Sequence, residues 1–147
     1  MNNRMKTVFS ALAENEAFAR SAAAAFVMPL DPTVEELTEI KTAVSEAVSN
    51  SVIHGYSGWE DRSQAMVELE CEINGNGRVT IIVRDHGRGI ANVEKAMQPL
   101  FSTVESEERS GMGFTVMQTF MDQMFVSSVV GQGTKVTMVK KFKKAKK

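Results

Sequence analysis

The sequence predicts an α+β fold: a two-layer α/β sandwich in which a mixed, mostly antiparallel sheet carries helices on one face. Three observations lead there. A long amphipathic helix with a strong start signal occupies residues 33–55; two period-two strands joined by a glycine-rich turn follow it; and two further apolar strands come last. The 147 residues, 43% apolar and 24% charged, suit a single globular domain spanning 1–147 with one core, and exclude a disordered, collagenous or repeat-built chain.

Residues Lys6 to Leu12 mix Thr, Val, Phe and Leu with polar neighbours and read as a short strand. From Asn15 to Met28 an Ala-rich segment places Phe18, Ala22, Ala25 and Phe26 at helical spacing, and Pro29 with Asp31-Pro32 ends it. The next helix starts at Asp31 or Thr33, with Pro32 suited to a first turn and Thr33 and Glu36 at capping-box spacing. Leu37, Ile40, Val44, Ala47, Val48 and Val52 form its apolar stripe, and Gly55 stops it. Then Val67, Leu69, Cys71 and Ile73 alternate with glutamates, Asn74-Gly75-Asn76-Gly77 turns the chain, and Val79 to Val83 pairs back as a hairpin. Asp85-His86-Gly87-Arg88-Gly89 breaks that strand. A short helix at Asn92 to Met97 ends at Pro99, Phe101 to Gly113 has no period and reads as a mobile loop, and a helix runs from Phe114 to Gln123. Phe125 to Val130 and Lys135 to Val139 are the last strands, joined through Gly131-Gln132-Gly133.

Several function classes are excluded at this stage. The longest apolar stretch, Ala22 to Leu30, is too short to span a bilayer, and the first residues lack a signal peptide's charged and apolar regions, so a soluble, cytoplasmic protein without a membrane role is expected. A single cysteine, Cys71, permits neither an internal disulfide nor a cysteine-based zinc site, and its alternation with Val67 and Ile73 marks it as buried and inert. Net charge is −1, yet six of the last eight residues are lysine, a basic tail on an acidic body. A frayed, solvated terminus accounts for that tail. Nothing else interleaves basic residues with exposed aromatics, so direct nucleic-acid binding is not expected.

The chemistry lies in a few short features. Glu46, Asn50 and His54 follow one another a turn apart, on the side of the long helix away from its apolar stripe. A solvated helix face would look the same. Asp85-x-Gly87-x-Gly89 comes straight off a strand: an aspartate there can accept a hydrogen bond from an exocyclic amine, and the glycines let backbone approach a flat ring. An ordinary strand-end turn also fits that pattern. Gly111-Met112-Gly113 opens a helix whose N–H groups could meet phosphate oxygens, with Arg109 as a permanent cation beside them. Gly133-Thr134 offers a hydroxyl just before the last strand. His54, with no second ligand in sight, reads as structural, and Met112, Met117, Met121 and Met124 read as core filler or a soft contact surface.

Each feature is weak, but their order is specific. Together they resemble the N, G1 and G2 boxes of the Bergerat (GHKL) ATP-binding fold shared by gyrase, the Hsp90 chaperones, histidine kinases and MutL, over residues 37–139. The P-loop string is absent. Leu30-Asp31-Pro32-Thr33, Glu36-Leu37-Thr38-Glu39-Ile40-Lys41-Thr42, Ile53-His54-Gly55-Tyr56, Gln98-Pro99-Leu100-Phe101 and Glu108-Arg109-Ser110-Gly111-Met112-Gly113-Phe114-Thr115 further resemble the sporulation anti-sigma F factor family, over nearly the whole chain. The chain departs from that family at Gly58 to Gln64 and at Val104 to Glu107, and the lysine tail has no place in its pattern.

This resemblance implies a homodimer that holds sigma F off RNA polymerase and phosphorylates, with ATP and Mg²⁺, a serine of an anti-anti-sigma factor. By the same resemblance Glu46 is the catalytic base or orients the attacking hydroxyl, and Asn50 ligands Mg²⁺. Asp85 binds the adenine amine, with Gly87 and Gly89 lining the ring and Thr134 assisting, while Arg109, Gly111 and Gly113 hold phosphates. Residues 1–30 carry dimer and partner contacts, Glu16 and Arg20 among them; unaided, the sequence there shows only an exposed helix face. Three alternatives stand beside this reading: a related stress-response anti-sigma kinase, a module that binds nucleotide without kinase activity, and a fragment of a sensor histidine kinase, which would need an upstream dimerisation helix with a phospho-acceptor histidine.

Overall fold

The computed structural model describes residues 2–98 and 113–142. Its elements run β1 (Asn3–Ser10), α1 (Asn15–Val27), a 3-10 turn (Met28–Leu30), α2 (Val34–Asn50), a π-helical turn (Ser51–Gly55), β2 (Met66–Asn74), β3 (Arg78–Asp85), α3 (Val93–Ala96), α4 (Gly113–Phe120), β4 (Gln123–Val129) and β5 (Gly133–Lys141). The five strands form one sheet in the order β1-β2-β3-β5-β4, and every neighbouring pair is antiparallel.

The strand alternation decides which face is covered. Val67, Leu69, Cys71 and Ile73 of β2 and Val79, Ile81 and Val83 of β3 are buried, and with Val136 and Met138 of β5 they form the inner face. Ile40, Val44 and Val48 of α2, Ala19, Ala23 and Val27 of α1, and Met117 of α4 pack onto it. Full burial contributes roughly 1.5–3 kcal/mol for each Val, Ile, Leu or Met side chain in this layer. Met117 and Met121 are core residues as expected, and Met124 packs against the core. The thiol of Cys71 is fully buried, which pushes its pKa up to about 12.

The start of α2 forms as its sequence demands. Thr33 Oγ1 accepts from the Glu36 N–H at 3.0 Å, while Glu36 Oε1 accepts from the Thr33 N–H at 2.9 Å, completing a capping box. Other boundaries differ from expectation. β1 begins at Asn3 and ends at Ser10, because it pairs along β2 from Asn3 opposite Ile73 to Ser10 opposite Met66. α4 ends at Phe120 because the next residues join the sheet: the Asp122 N–H donates to the Val139 carbonyl at 2.9 Å.

The expectation of a frayed lysine terminus fails at its first two residues, since Lys140 and Lys141 belong to β5. Lys140 points inward and is 8% exposed; its Nζ lies 2.7 Å from Glu39 Oε1 on α2 and donates to the Phe120 carbonyl at the end of α4 at 2.8 Å. A lysine at a helix C-terminus also meets the negative end of the helix dipole. Lys143, Lys144, Lys146 and Lys147 lie outside the described residues, as does the expected mobile loop apart from Gly113.

Candidate functional site

Where α2 runs out, the chain continues through the π-helical turn, a geometry that often accompanies functional sites. This turn, the end of α2, the end of β3, α3, the start of α4 and the start of β5 line an open cavity of about 410 Å³. Ala47, Ile90, Ala96, Phe114 and Val136 supply apolar wall, and Asn50, Ser51, His54, Asp85, Asn92, Lys95 and Thr134 supply polar groups. A largely apolar cleft with a few convergent polar groups is the usual form of a small-molecule site.

Asp85 is held at both of its oxygens. It is 3% exposed; its Oδ1 accepts from the Gly87 N–H at 2.9 Å and its Oδ2 accepts from Ser51 Oγ at 2.8 Å. Burial pushes its carboxyl pKa up from the ordinary aspartate value, against the lowering effect of those hydrogen bonds. A carboxylate fixed in this way presents its remaining acceptor capacity to the cavity, where an amine donor would satisfy it.

Backbone packing explains both glycines after Asp85. A Cβ at Gly87 would collide with the Gly55 carbonyl, and one at Gly89, which has φ +79°, with the Val129 carbonyl. The loop is pinned on both sides: the Arg88 N–H donates to the Gly55 carbonyl at 2.7 Å, and the Gly131 N–H donates to the Arg88 carbonyl at 2.8 Å. Ser128 Oγ accepts from the Ile90 N–H at 2.7 Å, lies 2.9 Å from Thr134 Oγ1 and donates to the Gly133 carbonyl.

Five of the residues singled out in the sequence, Asn50, Asp85, Gly89, Gly113 and Thr134, therefore meet around one cavity. Gly87 sits behind Asp85 and outside the lining, and Glu46 is half-buried on α2 one turn before Asn50, also outside it. Arg109 and Gly111 lie outside the described residues. Glu16 and Arg20 are half-buried on α1, where Arg20 Nη1 donates to Ser45 Oγ of α2 at 3.0 Å. Ser51, Ser128 and Lys95 escaped the sequence reading, as did the place of His54 in the cavity wall. Only Ser51, adjacent to Asn50, carried any signal.

Residues 9–140 match the family model of the histidine kinase-like ATPase domain. This is the class that the antiparallel sheet, its helical cover and the cavity between them define. The chain is 55% identical to the anti-sigma F factor of Clostridium beijerinckii over 141 residues, 96% of each chain, and 53% identical to that of Anoxybacillus flavithermus, covering 99% of this chain and 97% of the relative. The chain belongs to the anti-sigma F factor family. Among solved structures, the RsbU and RsbW domains of Rv1364c from Mycobacterium tuberculosis superpose with a TM-score of 0.67 at 18% identity, covering 95% of this chain and 32% of that one. The mycobacterial sensor histidine kinase MprB gives 0.56 at 16% identity, covering 74% of each chain. Among the described residues no helix is long and apolar enough to cross a membrane.

Proposed function

We propose that this protein binds sigma F and withholds it from RNA polymerase, and that it is also a serine kinase that transfers the γ-phosphoryl group of ATP to an anti-anti-sigma factor. In this reading it acts in the cytoplasm as a homodimer controlling sporulation transcription, with β1 and α1, including Glu16 and Arg20, contributing dimer and partner contacts. The observation that carries the nucleotide part is the largely apolar cavity lined by buried Asp85 and by Asn50. The partner part rests on family membership.

Adenine fits the apolar slot, its exocyclic amine donating to Asp85, with Gly89 and Thr134 beside the ring and Gly87 backing the carboxylate. Gly113 at the start of α4, with Arg109 and Gly111, would hold the phosphates. Among the described residues no group of three or more His, Cys, Asp or Glu could hold a metal ion. The Asn50 amide oxygen nonetheless suits Mg²⁺, which is commonly held by one or two protein oxygens together with substrate phosphates. Bound there, Mg²⁺ would offset the charge that develops on the phosphoryl oxygens. Glu46, one turn from Asn50, takes the proton of the attacking serine hydroxyl as the new O–P bond forms, the β–γ bridge bond breaks and ADP leaves.

Purified protein incubated with γ-labelled ATP and the anti-anti-sigma factor should move label onto a serine of that factor. In Glu46→Gln, nucleotide and sigma binding should persist while transfer falls by about 10²–10⁴-fold, the usual contribution of a general base. Nucleotide and sigma binding without any labelling of the factor would instead make the protein a nucleotide-dependent binding module.

A further inference from the structure

Asp85 is the last residue of β3, and something must end the β2–β3 ladder at that point. The register places Val67 opposite Asp85, so the next rung would join Met66 to His86. That rung is not made directly. The hydroxyl of Tyr56 stands between the two chains, accepting from the His86 N–H at 2.9 Å and donating to the Met66 carbonyl at 2.6 Å. Tyr56 directly follows the π-helical turn and is 1% exposed. Its ring also packs edge-on against Trp59, with centroids 4.8 Å apart.

We infer that Tyr56 is a positioning residue for nucleobase recognition: its hydroxyl replaces one rung of the sheet and so fixes where β3 releases the chain and how Asp85 faces the cavity. The inference rests on the assignment of Asp85 as the carboxylate that recognises the base. Two links connect the hydroxyl to that carboxylate. His86, whose N–H it holds, is the next residue in the chain, and Gly55, the residue before Tyr56, lies so close that a Cβ there would stand 2.9 Å from Asp85 Oδ2. Burial raises the phenol pKa, so the hydroxyl keeps the proton it donates to Met66. Without the hydroxyl, one part-buried N–H and one carbonyl lose their partners. They can recover by pairing with each other, which extends the ladder by one rung and draws His86, and Asp85 with it, towards β2.

The test is Tyr56→Phe, which keeps the ring against Trp59 and removes only the hydroxyl. Binding is measured with fluorescent ATP and GTP analogues labelled on the ribose, together with thermal unfolding. The parent should prefer the adenine analogue. In the variant, adenine affinity should fall about fivefold, the scale of one hydrogen bond, with guanine affinity changing less, so that the preference narrows. As the chain's single tryptophan, Trp59 should respond to nucleotide in the parent and respond less in the variant. A lower melting temperature with an unchanged adenine-to-guanine ratio would make Tyr56 merely structural and overturn the inference. The same ratio with an unchanged melting temperature overturns it equally. A parent with no adenine preference would instead sink the assignment of Asp85 itself.

Discussion

Replacing Asp85 with asparagine separates what the site does for nucleotide from what it does for the fold. In the parent, one carboxylate oxygen serves the Gly87 N–H and the other serves Ser51 Oγ. Asparagine keeps an acceptor for Gly87 and places an NH₂ where the second oxygen was. The Ser51 hydroxyl can rotate to accept from it, because a hydroxyl both donates and accepts. The cavity side cannot adapt: an amide donor would face an amine donor. A hydrogen bond to a charged group contributes about 2 kcal/mol, which corresponds to roughly 30-fold in affinity. Stability should behave differently. The raised carboxyl pKa means that folding favours the protonated form, so the buried carboxylate costs stability at neutral pH, a cost absent below the ordinary aspartate range. Asparagine removes that cost, and the net change in unfolding free energy should stay within about 1 kcal/mol. Calorimetric titration with ATP and denaturant unfolding of both proteins provide the two readings. Undiminished ATP affinity in a folded variant would refute the role given to Asp85.

Other substitutions probe the frame around the site. Gly87→Ala should cost about 3 kcal/mol in denaturant unfolding, because its Cβ meets the Gly55 carbonyl rather than a movable side chain. Lys140→Met leaves Glu39 and the Phe120 carbonyl without their partner; Glu39 keeps some solvent, so a loss of about 2 kcal/mol and a Tm lower by about 4–8 °C are expected, with part recovered when Glu39→Gln is added. On the outer sheet face, the Glu68 carboxyl is held at about 2, chiefly by its hydrogen bond to His86 and then by Arg84 and Lys6. Its stabilisation is present above the ordinary 4.5 and lost as pH falls towards 2, so His86→Ala should flatten the decline in unfolding midpoint between pH 5 and pH 3.

How much of this was legible depended on how local each cause was. The capping box of α2 and the alternation of β2 are complete within a few residues, and both elements form where the sequence places them. Asp85 and Asn50 were legible as members of ordered motifs. Ser51, Tyr56, Ser128 and Lys140 were not, since each acts through partners far along the chain: Ser51 through Asp85, Lys140 through Glu39. No spacing rule connects such pairs. The glycines show a subtler gap. The sequence offers Gly87 and Gly89 as room for a ring but does not show that packing of backbone on backbone demands both as well. Nor could composition alone tell Lys140, which faces inward from a paired strand, from a solvated tail lysine.

The strand order has a consequence for how this protein acquires its pocket. β3 and β5 are neighbours, yet the whole stretch from His86 to Gln132 lies between them in sequence. The pairs β2–β3 and β4–β5 close over short turns, whereas β3–β5, like β1–β2, joins segments remote in sequence, and local pairings are reached sooner than remote ones. The wall carrying Thr134 and Val136 meets Asp85 only through the remote β3–β5 pairing, so the cavity exists only once that pairing has closed. A nucleotide recognises only the finished state: it should slow unfolding and leave the rate of folding untouched, so a chain already holding ligand persists while a nascent one gains no help in reaching its fold.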